Sequence, residues 1–164
     1  MNSAEVAWLA TRARAIKLVA CDWTGVLGDA GMHEQLSLRD GLAVTSLRKA
    51  GIRTAIITCE PSTQIARNAE AFGAPHVFVG VKDKAARLEM IADDADISMS
   101  AIAFIGADAI DAGIMRSIAE VGLTGAPRGA AEEIVALAHF QSDRTGGSGA
   151  FREFADWILK LRGS

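Results

Sequence analysis

The stretch IKLVACDWTGVL, residues 16–27, begins with a short apolar run and ends in a polar turn. Its β-prone residues stop at Asp22, which is typical of a buried parallel strand whose carboxyl end faces a crevice. Gly25 allows the chain to turn sharply after the strand, so that backbone N–H groups can face an anion. The stretch therefore predicts a functional site around Asp22, at the end of the first strand.

Short apolar runs alternate with helical patterns along the rest of the chain. This alternation favours an α/β fold, a three-layer doubly wound parallel sheet with right-handed crossovers. Pro61 suits the first turn of its helix. The predicted strands are 17–21, 53–58, 76–79, 101–105, 121–124 and 138–141. The predicted helices are 3–15, 41–50, 61–72, 83–92, 109–120, 128–136 and 150–161.

Length and composition predict a single domain over residues 1–164, with an extra N-terminal helix within 1–15 and a flexible glycine-rich hinge at 146–149. Half of the residues are hydrophobic and the formal charge is −3, which argues against nucleic acid or an anionic membrane as a partner. Neither a signal peptide nor a membrane span is expected. Cys21 and Cys59 are expected to be reduced thiols of a cytoplasmic protein.

Four segments resemble the motifs of the haloacid dehalogenase (HAD) superfamily of phosphotransferases. They read DWTGVLGD (22–29), AIITCE (55–60), GVKDK (80–84) and FIGADAID (104–111). The resemblance implies a HAD-like Rossmannoid fold without a cap domain, in which Asp22 attacks phosphorus. A second Asp that protonates the leaving oxygen is usual where this chain has Thr24, although Thr also stands there in the similar Asp-Lys-Thr-Gly motif of P-type ATPases. We take Asp22 and Thr24 as the candidate catalytic residues.

The second and third motifs imply the substrate-binding residues. Thr58 is placed to hydrogen-bond a phosphate, Cys59 follows it, and a lysine is expected to neutralise the nucleophile and the phosphoryl group. Lys84 matches the pattern better than Lys82. Many relatives continue Thr-Gly-Arg where this chain has Cys59 and Glu60 after Thr58. The charge of Glu60 would repel a phosphate unless its side chain turns away.

The fourth motif resembles Gly-Asp-Asp-x-x-Asp, which holds magnesium, but Ala107 replaces its first Asp. The resemblance leaves Asp22, the Thr24 carbonyl, and Asp108 or Asp111 through water as metal ligands. Because each lost carboxylate removes both charge and geometry, we expect a Mg²⁺ site that is weak or absent. Alternatively, Asp108 caps the following helix and Asp111 lies in its first turn.

Within the superfamily the chain is most similar to the capless Kdo-8-phosphate phosphatases and to the C-terminal domain of some acylneuraminate cytidylyltransferases. The segments LRDG (38–41) and GGSGAFRE (146–153) are specific to this branch. A β-hairpin that helps to build a tetramer in relatives is shortened here to 29–38. The resemblance implies a homo-oligomer, but the shortening puts a tetramer in doubt. Ser148 stands where relatives commonly have Arg, which removes a contact to an anionic substrate.

Two functions remain open. The first is a slow magnesium-dependent phosphatase, a phosphoric monoester hydrolase acting on a small sugar-like phosphate through an aspartyl phosphate on Asp22. The second is a catalytically impaired pseudophosphatase that serves as an association or ligand-binding module. A phosphoacceptor receiver domain is disfavoured, because it would need an acidic pair after the first strand and an Asp after the third.

Overall fold

Six parallel strands form the centre of the molecule. The computed structural model describes residues 2–28 and 37–163. The strand order is β3-β2-β1-β4-β5-β6, and every pairing is parallel. The chain therefore changes its direction of travel across the sheet between β1 and β4, where open α/β sheets bind ligands. The strands are β1 (Leu18–Cys21), β2 (Arg53–Ile57), β3 (His76–Phe78), β4 (Ile102–Ile105), β5 (Leu123–Ala126) and β6 (Phe140–Gln141).

Helices cover both faces of the sheet and confirm the predicted three-layer fold. Apolar residues of α1, α2, α3 and α7 pack on one face, and those of α4, α5 and α6 pack on the other. Short 3₁₀ turns at Met99–Ala101 and Ala109–Asp111 complete the connections. The helices are α1 (Ser3–Ala15), α2 (Leu38–Lys49), α3 (Thr63–Ala71), α4 (Lys84–Asp94), α5 (Ala112–Ala119), α6 (Glu132–Ala136) and α7 (Ala150–Arg162).

Four predicted helix starts were wrong, those of α2, α3, α5 and α6, and local chemistry explains them. The Ser37 side chain accepts a hydrogen bond from the backbone of Asp40, so α2 begins at Leu38 and not at residue 41. A 3₁₀ turn occupies Ala109–Asp111, so α5 begins at Ala112.

The Ser62 side chain accepts a hydrogen bond from the backbone of Ile65, so α3 begins after Ser62 and Pro61 lies before the helix. Gly129 has a φ of 82°, a left-handed conformation that an α-helix cannot contain, so α6 begins only after it. Strand β5 begins two residues later than predicted because Gly122 still bonds to Ile118 in the last turn of α5.

The predicted N-terminal helix coincides with α1. Most of the predicted shortened hairpin, residues 29–36, lies outside the described residues. No helix in the described part of the chain is long and apolar enough to cross a membrane.

Candidate active site

Asp22 lies directly after β1, at the carboxyl edge of the sheet and next to the change in strand order. Only 3% of its surface is exposed. Its Oδ1 accepts a hydrogen bond of 2.7 Å from the N–H of Trp23. Its Oδ2 lies 2.7 Å from the ammonium nitrogen of Lys84. The carboxylate is thus held in one orientation at the point where the sheet opens.

The environment of Asp22 makes its carboxylate more basic than usual. Burial, reinforced by the charge of Asp111, raises the pKa of Asp22 to about 6, while Lys84 and the Trp23 N–H limit the rise. At neutral pH the group is still mostly ionised. A basic, ionised and weakly solvated carboxylate suits nucleophilic attack.

Lys84 reaches the same point from the first turn of α4. The preceding Asp83 caps the helix, because its Oδ1 accepts a 3.0 Å hydrogen bond from the N–H of Ala86. The Nζ of Lys84 lies 2.7 Å from Oδ1 of Asp111, and the residue is buried. Lys82, in contrast, is exposed. The structure therefore brings Lys84, and not Lys82, into the site.

Asp22, Lys84 and Asp111 form a buried triad with two negative charges and one positive charge. Burial works against the charge of Lys84, but the two carboxylates outweigh it and raise the pKa of the ammonium. The lysine therefore stays charged, and the triad has a net charge of −1 when both carboxylates are ionised. A phosphate dianion entering this site needs further positive charge or hydrogen-bond donors.

The two carboxylates of the fourth motif have different positions. Asp111 is buried, and its Oδ2 accepts a 2.9 Å hydrogen bond from the N–H of Ala107 while its other oxygen holds Lys84. Asp108 is exposed, and its Oδ1 accepts a 2.7 Å hydrogen bond from Ala109 as the cap of a 3₁₀ turn. Both parts of the capping alternative are seen: Asp108 caps the 3₁₀ turn, and Asp111 lies in that turn and accepts a hydrogen bond from the N–H of Asp108. Asp111 also fixes the lysine.

Thr58 follows β2 at the same edge of the sheet and is buried. Its hydroxyl oxygen accepts a 3.2 Å hydrogen bond from the N–H of Glu60. The hydroxyl proton itself makes no hydrogen bond to another described residue. Thr58 can therefore donate this proton to a phosphate oxygen. Cys59 is half-buried and Glu60 is exposed, so water solvates the Glu60 charge. The substrate-binding roles of Thr58 and Cys59 stay predictions.

Close packing shapes the loop that follows Asp22. Gly25 has a φ of 79°, and a Cβ added to it would lie 2.8 Å from Cβ of Ala107. Ala107 therefore faces the loop that follows Asp22, and a longer side chain at this position would point towards that loop. A Cβ on Gly146 would collide with the carbonyl oxygen of Gly25. The glycine-rich segment 146–149 thus lies against the first motif.

The two branch-specific segments meet at Asp40, a contact that the sequence analysis missed. Asp40 is buried in α2, and its Oδ1 accepts a 2.9 Å hydrogen bond from the N–H of Arg152 in the first turn of α7. Its Oδ2 accepts a 2.6 Å hydrogen bond from the Ser37 hydroxyl. An acidic residue in LRDG and a helix start without a side-chain cap in GGSGAFRE were the available signals. The predicted hinge role of the glycines stays a prediction, since close approach already accounts for Gly146.

The oxygen donors of the site match the chemistry of Mg²⁺ in type but not in number. The Asp22 carboxylate and the Thr24 backbone carbonyl are hard ligands, and Asp108 or Asp111 could contribute through water. The described part of the chain holds no group of three or more His, Cys, Asp or Glu side chains placed to bind a metal. Ala107 supplies no oxygen from its side chain. The residues present therefore fit a magnesium site that has fewer direct carboxylate ligands than the family motif provides.

Comparison with known proteins shows relatives along almost the whole chain. The 3-deoxy-D-manno-octulosonate 8-phosphate phosphatase KdsC of Yersinia pestis is 32% identical over 165 residues, which cover 93% of this chain and 87% of the relative. KdsC of Escherichia coli K12 is 28% identical over 160 residues, covering 93% and 84%. No family model matches the chain.

Solved structures agree with this result. The Moraxella catarrhalis phosphatase, a complex with magnesium ion, phosphate ion and KDO, superposes with a TM-score of 0.87 at 30% identity, covering 95% of this chain and 92% of that one. A cobalt-bound Haemophilus influenzae phosphatase superposes with a TM-score of 0.84 at 27% identity, covering 93% and 92%. A structure from Legionella pneumophila assigned to HAD superfamily subfamily III A has a TM-score of 0.88 at 30% identity, covering 98% and 91%.

These relatives are described as phosphatases or hydrolases, so the comparisons give no support to the pseudophosphatase alternative. Two of the structures contain a divalent metal, magnesium or cobalt. The similarity extends over at least nine-tenths of this chain in every comparison given above. The chain therefore belongs to the family of 3-deoxy-D-manno-octulosonate 8-phosphate phosphatases within the HAD superfamily.

Proposed function

We propose that the chain is a slow phosphatase that hydrolyses a small, sugar-like phosphate monoester through an aspartyl phosphate on Asp22. The observation that carries this proposal is the buried triad, in which Lys84 holds both Asp22 and Asp111 at 2.7 Å. The relatives that act on 3-deoxy-D-manno-octulosonate 8-phosphate support a phosphorylated sugar acid as the substrate class.

In the first step, an Asp22 oxygen attacks phosphorus, the bond from phosphorus to the ester oxygen breaks, and its electron pair leaves with that oxygen. In this proposal Lys84 and the Thr58 hydroxyl stabilise the negative charge on the phosphoryl oxygens. In the second step, water attacks phosphorus, the bond from phosphorus to the Asp22 oxygen breaks, and its electron pair restores the Asp22 carboxylate as inorganic phosphate leaves. A proton from water balances the charge of the departing alkoxide.

Two departures from the family pattern set the expected rate. Thr24 cannot protonate the leaving oxygen at neutral pH, and loss of a general acid typically costs about 10²–10⁴-fold in rate. A divalent cation held by Asp22, the Thr24 carbonyl and a carboxylate bound through water would supply positive charge to the phosphate. Because Ala107 removes one direct ligand, we expect activity only at high Mg²⁺ concentration.

The proposal is tested by phosphate release from p-nitrophenyl phosphate and from a panel of sugar phosphates, with and without Mg²⁺. We expect slow, Mg²⁺-stimulated release in the parent and in a control, Asp93→Asn, which changes an exposed residue of α4. Asp22→Asn should abolish it. Equal release by the parent and Asp22→Asn would overturn the proposal, whether both are active or neither is.

A second experiment restores the two aspartates of the family motifs that are absent at positions 24 and 107. Thr24→Asp should raise the rate on poor leaving groups by about 10²-fold or more, and much less on p-nitrophenyl phosphate, whose leaving group needs little protonation. Ala107→Asp should lower the Mg²⁺ concentration needed for half-maximal activity, because position 107 faces the loop that carries Asp22. An unchanged Mg²⁺ requirement would contradict the assignment of position 107 to the metal site.

A further inference from the structure

Asp40 is a buried carboxylate that the proposed reaction does not use. It lies in the first turn of α2 and forms no ion pair with a described residue. Its Oδ1 accepts a hydrogen bond from the N–H of Arg152, and its Oδ2 accepts one from the Ser37 hydroxyl. Burial raises the pKa of Asp40, while Ser37 and the N–H groups of Arg152 and Gly149 oppose the rise. Burying a carboxylate is costly, and packing α2 against its neighbours does not need one.

The Asp40 carboxylate caps α7, which has no side-chain cap of its own. The N-cap residue of α7 is Gly149, whose φ of 105° is left-handed and which has no side chain to accept a hydrogen bond. The first N–H groups of a helix need acceptors, and the carboxylate from α2 supplies one. Its negative charge also suits the positive end of the helix dipole. Asp40 therefore fixes the start of α7 and, with it, the end of the glycine-rich segment 146–149.

Glu153, in the first turn of α7, fixes the residues that precede this segment. Its Oε2 accepts hydrogen bonds of 2.6 Å from the Ser142 hydroxyl and 3.1 Å from the N–H of Asp143. Its Oε1 lies 3.1 Å from Nε of Arg144. The chain between Arg144 and α7 is therefore held at both of its ends.

A continuous series of hydrogen bonds leads from segment 146–149 to the proposed nucleophile. The N–H of Gly147 donates a 3.0 Å hydrogen bond to the carbonyl of Val26, and the N–H of Val26 donates a 3.2 Å hydrogen bond to the carbonyl of Trp23. The N–H of Trp23 in turn donates a 2.7 Å hydrogen bond to Oδ1 of Asp22. A shift of segment 146–149 would therefore move the donor that orients the Asp22 carboxylate.

We propose that Asp40 is a positioning residue, which sets the orientation of the Asp22 carboxylate through segment 146–149 and the loop after β1. The kinetic consequence of this role rests on the proposed phosphatase function, whereas the position of the loop does not. Asp40 takes no part in the making or breaking of bonds. Nucleophilic attack needs the attacking oxygen aligned with phosphorus, and a misplacement of about 1 Å can cost about 10²-fold in rate.

Backbone amide signals in NMR spectra test the structural part of the proposal. In Asp40→Ala, we expect the signals of Gly147, Val26 and Trp23 to shift. The control is Arg162→Met, which removes hydrogen bonds at the opposite end of α7 and should leave these three signals in place. Unmoved signals of Val26 and Trp23 in folded Asp40→Ala would overturn the proposal, whether or not the parent releases phosphate.

Phosphate release from p-nitrophenyl phosphate tests the kinetic part, at a temperature at which circular dichroism shows both variants to be folded. Asp40→Ala should lower kcat by about tenfold or more and change KM by less than about threefold, because Lys84 and Thr58 stay in place. Arg162→Met should keep the kcat of the parent, although it also weakens the attachment of α7. Equal kcat values in the parent and Asp40→Ala, or equal losses in both variants, would refute the kinetic role. An inactive parent would instead refute the proposed function, and the NMR signals would still decide whether Asp40 positions the loop.

Asp40→Asn provides a second variant if alanine prevents folding. Its amide keeps one oxygen acceptor for the N–H of Arg152 but loses the other. We expect this variant to fold, to shift the same amide signals by smaller amounts, and to have a kcat about threefold below that of the parent. An Asp40→Asn protein with the signals and the kcat of the parent would contradict the proposal.

Discussion

At the scale of single residues, the site depends on one lysine that serves two carboxylates. The ammonium of Lys84 lies 2.7 Å from both Asp22 and Asp111, and all three residues are buried. A buried charge without a partner is far more costly than a surface charge, so neither carboxylate is well tolerated alone. The pairing therefore supports the fold as well as the proposed chemistry.

Lys84→Ala should lower the free energy of unfolding by about 3–5 kcal/mol, because it leaves two buried carboxylates facing each other without a cation. Lys82→Ala, which removes an exposed lysine two residues earlier, should change it by no more than about 0.5 kcal/mol. Urea denaturation of both variants measures the difference. Similar values for the two variants would show that the buried pairing contributes little.

The pH dependence of stability reports on Asp22. Its pKa rises from 3.8 to about 6 on folding, so between these values the folded state binds more protons than the unfolded state. The contribution of Asp22 to the free energy of unfolding should therefore fall as pH rises through this window. Asp22→Asn lacks this titration, so its stability relative to the parent should increase by about 2 kcal/mol between pH 4 and pH 7. Parallel denaturation profiles over this range would contradict the raised pKa.

At the scale of elements, the loop after β1 is shaped by segments that lie far away in sequence. Gly146 precedes α7 and touches the backbone of Gly25, and the N–H of Gly147 donates a 3.0 Å hydrogen bond to the carbonyl of Val26. Asp40 of α2 holds the first turn of α7. The position of the loop thus depends on how α2 and α7 pack together.

Gly146→Ala should lower the free energy of unfolding by about 1–3 kcal/mol, because its new methyl group must displace the loop that carries Asp22. It should also reduce phosphate release. Gly113→Ala is the matched control, since nothing lies within 4 Å of the new Cβ in α5, and alanine there should stabilise by about 0.5–1 kcal/mol. Thermal denaturation compares the two variants. Unchanged thermal stability of Gly146→Ala would show that the loop has room to adapt.

At the scale of the whole molecule, arginines near both ends of the chain join distant helices. Nη1 of Arg162 donates hydrogen bonds to the carbonyls of Ala13, Arg14 and Ile16, at the end of α1. Arg12 of α1 donates in turn to carbonyls at the end of α5. Helix ends carry unpaired carbonyls and partial negative charge, so guanidinium groups stabilise them.

Arg162→Met keeps most of the apolar stem but removes these donors, so it should lower the free energy of unfolding by about 1.5–3 kcal/mol. Arg67→Met, at an exposed position of α3, should have little effect. Hydrogen exchange measured by mass spectrometry should show faster exchange in the last turn of α1 in Arg162→Met only. Unchanged exchange there would mean that apolar packing of α1 is sufficient to hold it.

The sequence by itself determined the alternation of strands and helices and the family, and it predicted Asp22, Thr58 and Lys84 as candidate site residues. These features arise from local patterns, because apolar periodicity and motif spacing can be recognised without any information on distant contacts. Only the tertiary structure decided that Asp111 shares Lys84 with Asp22 while Asp108 remains a helix cap. Asp108 and Asp111 are the same residue type in one motif. Their roles differ only because the fold buries Asp111 and exposes Asp108.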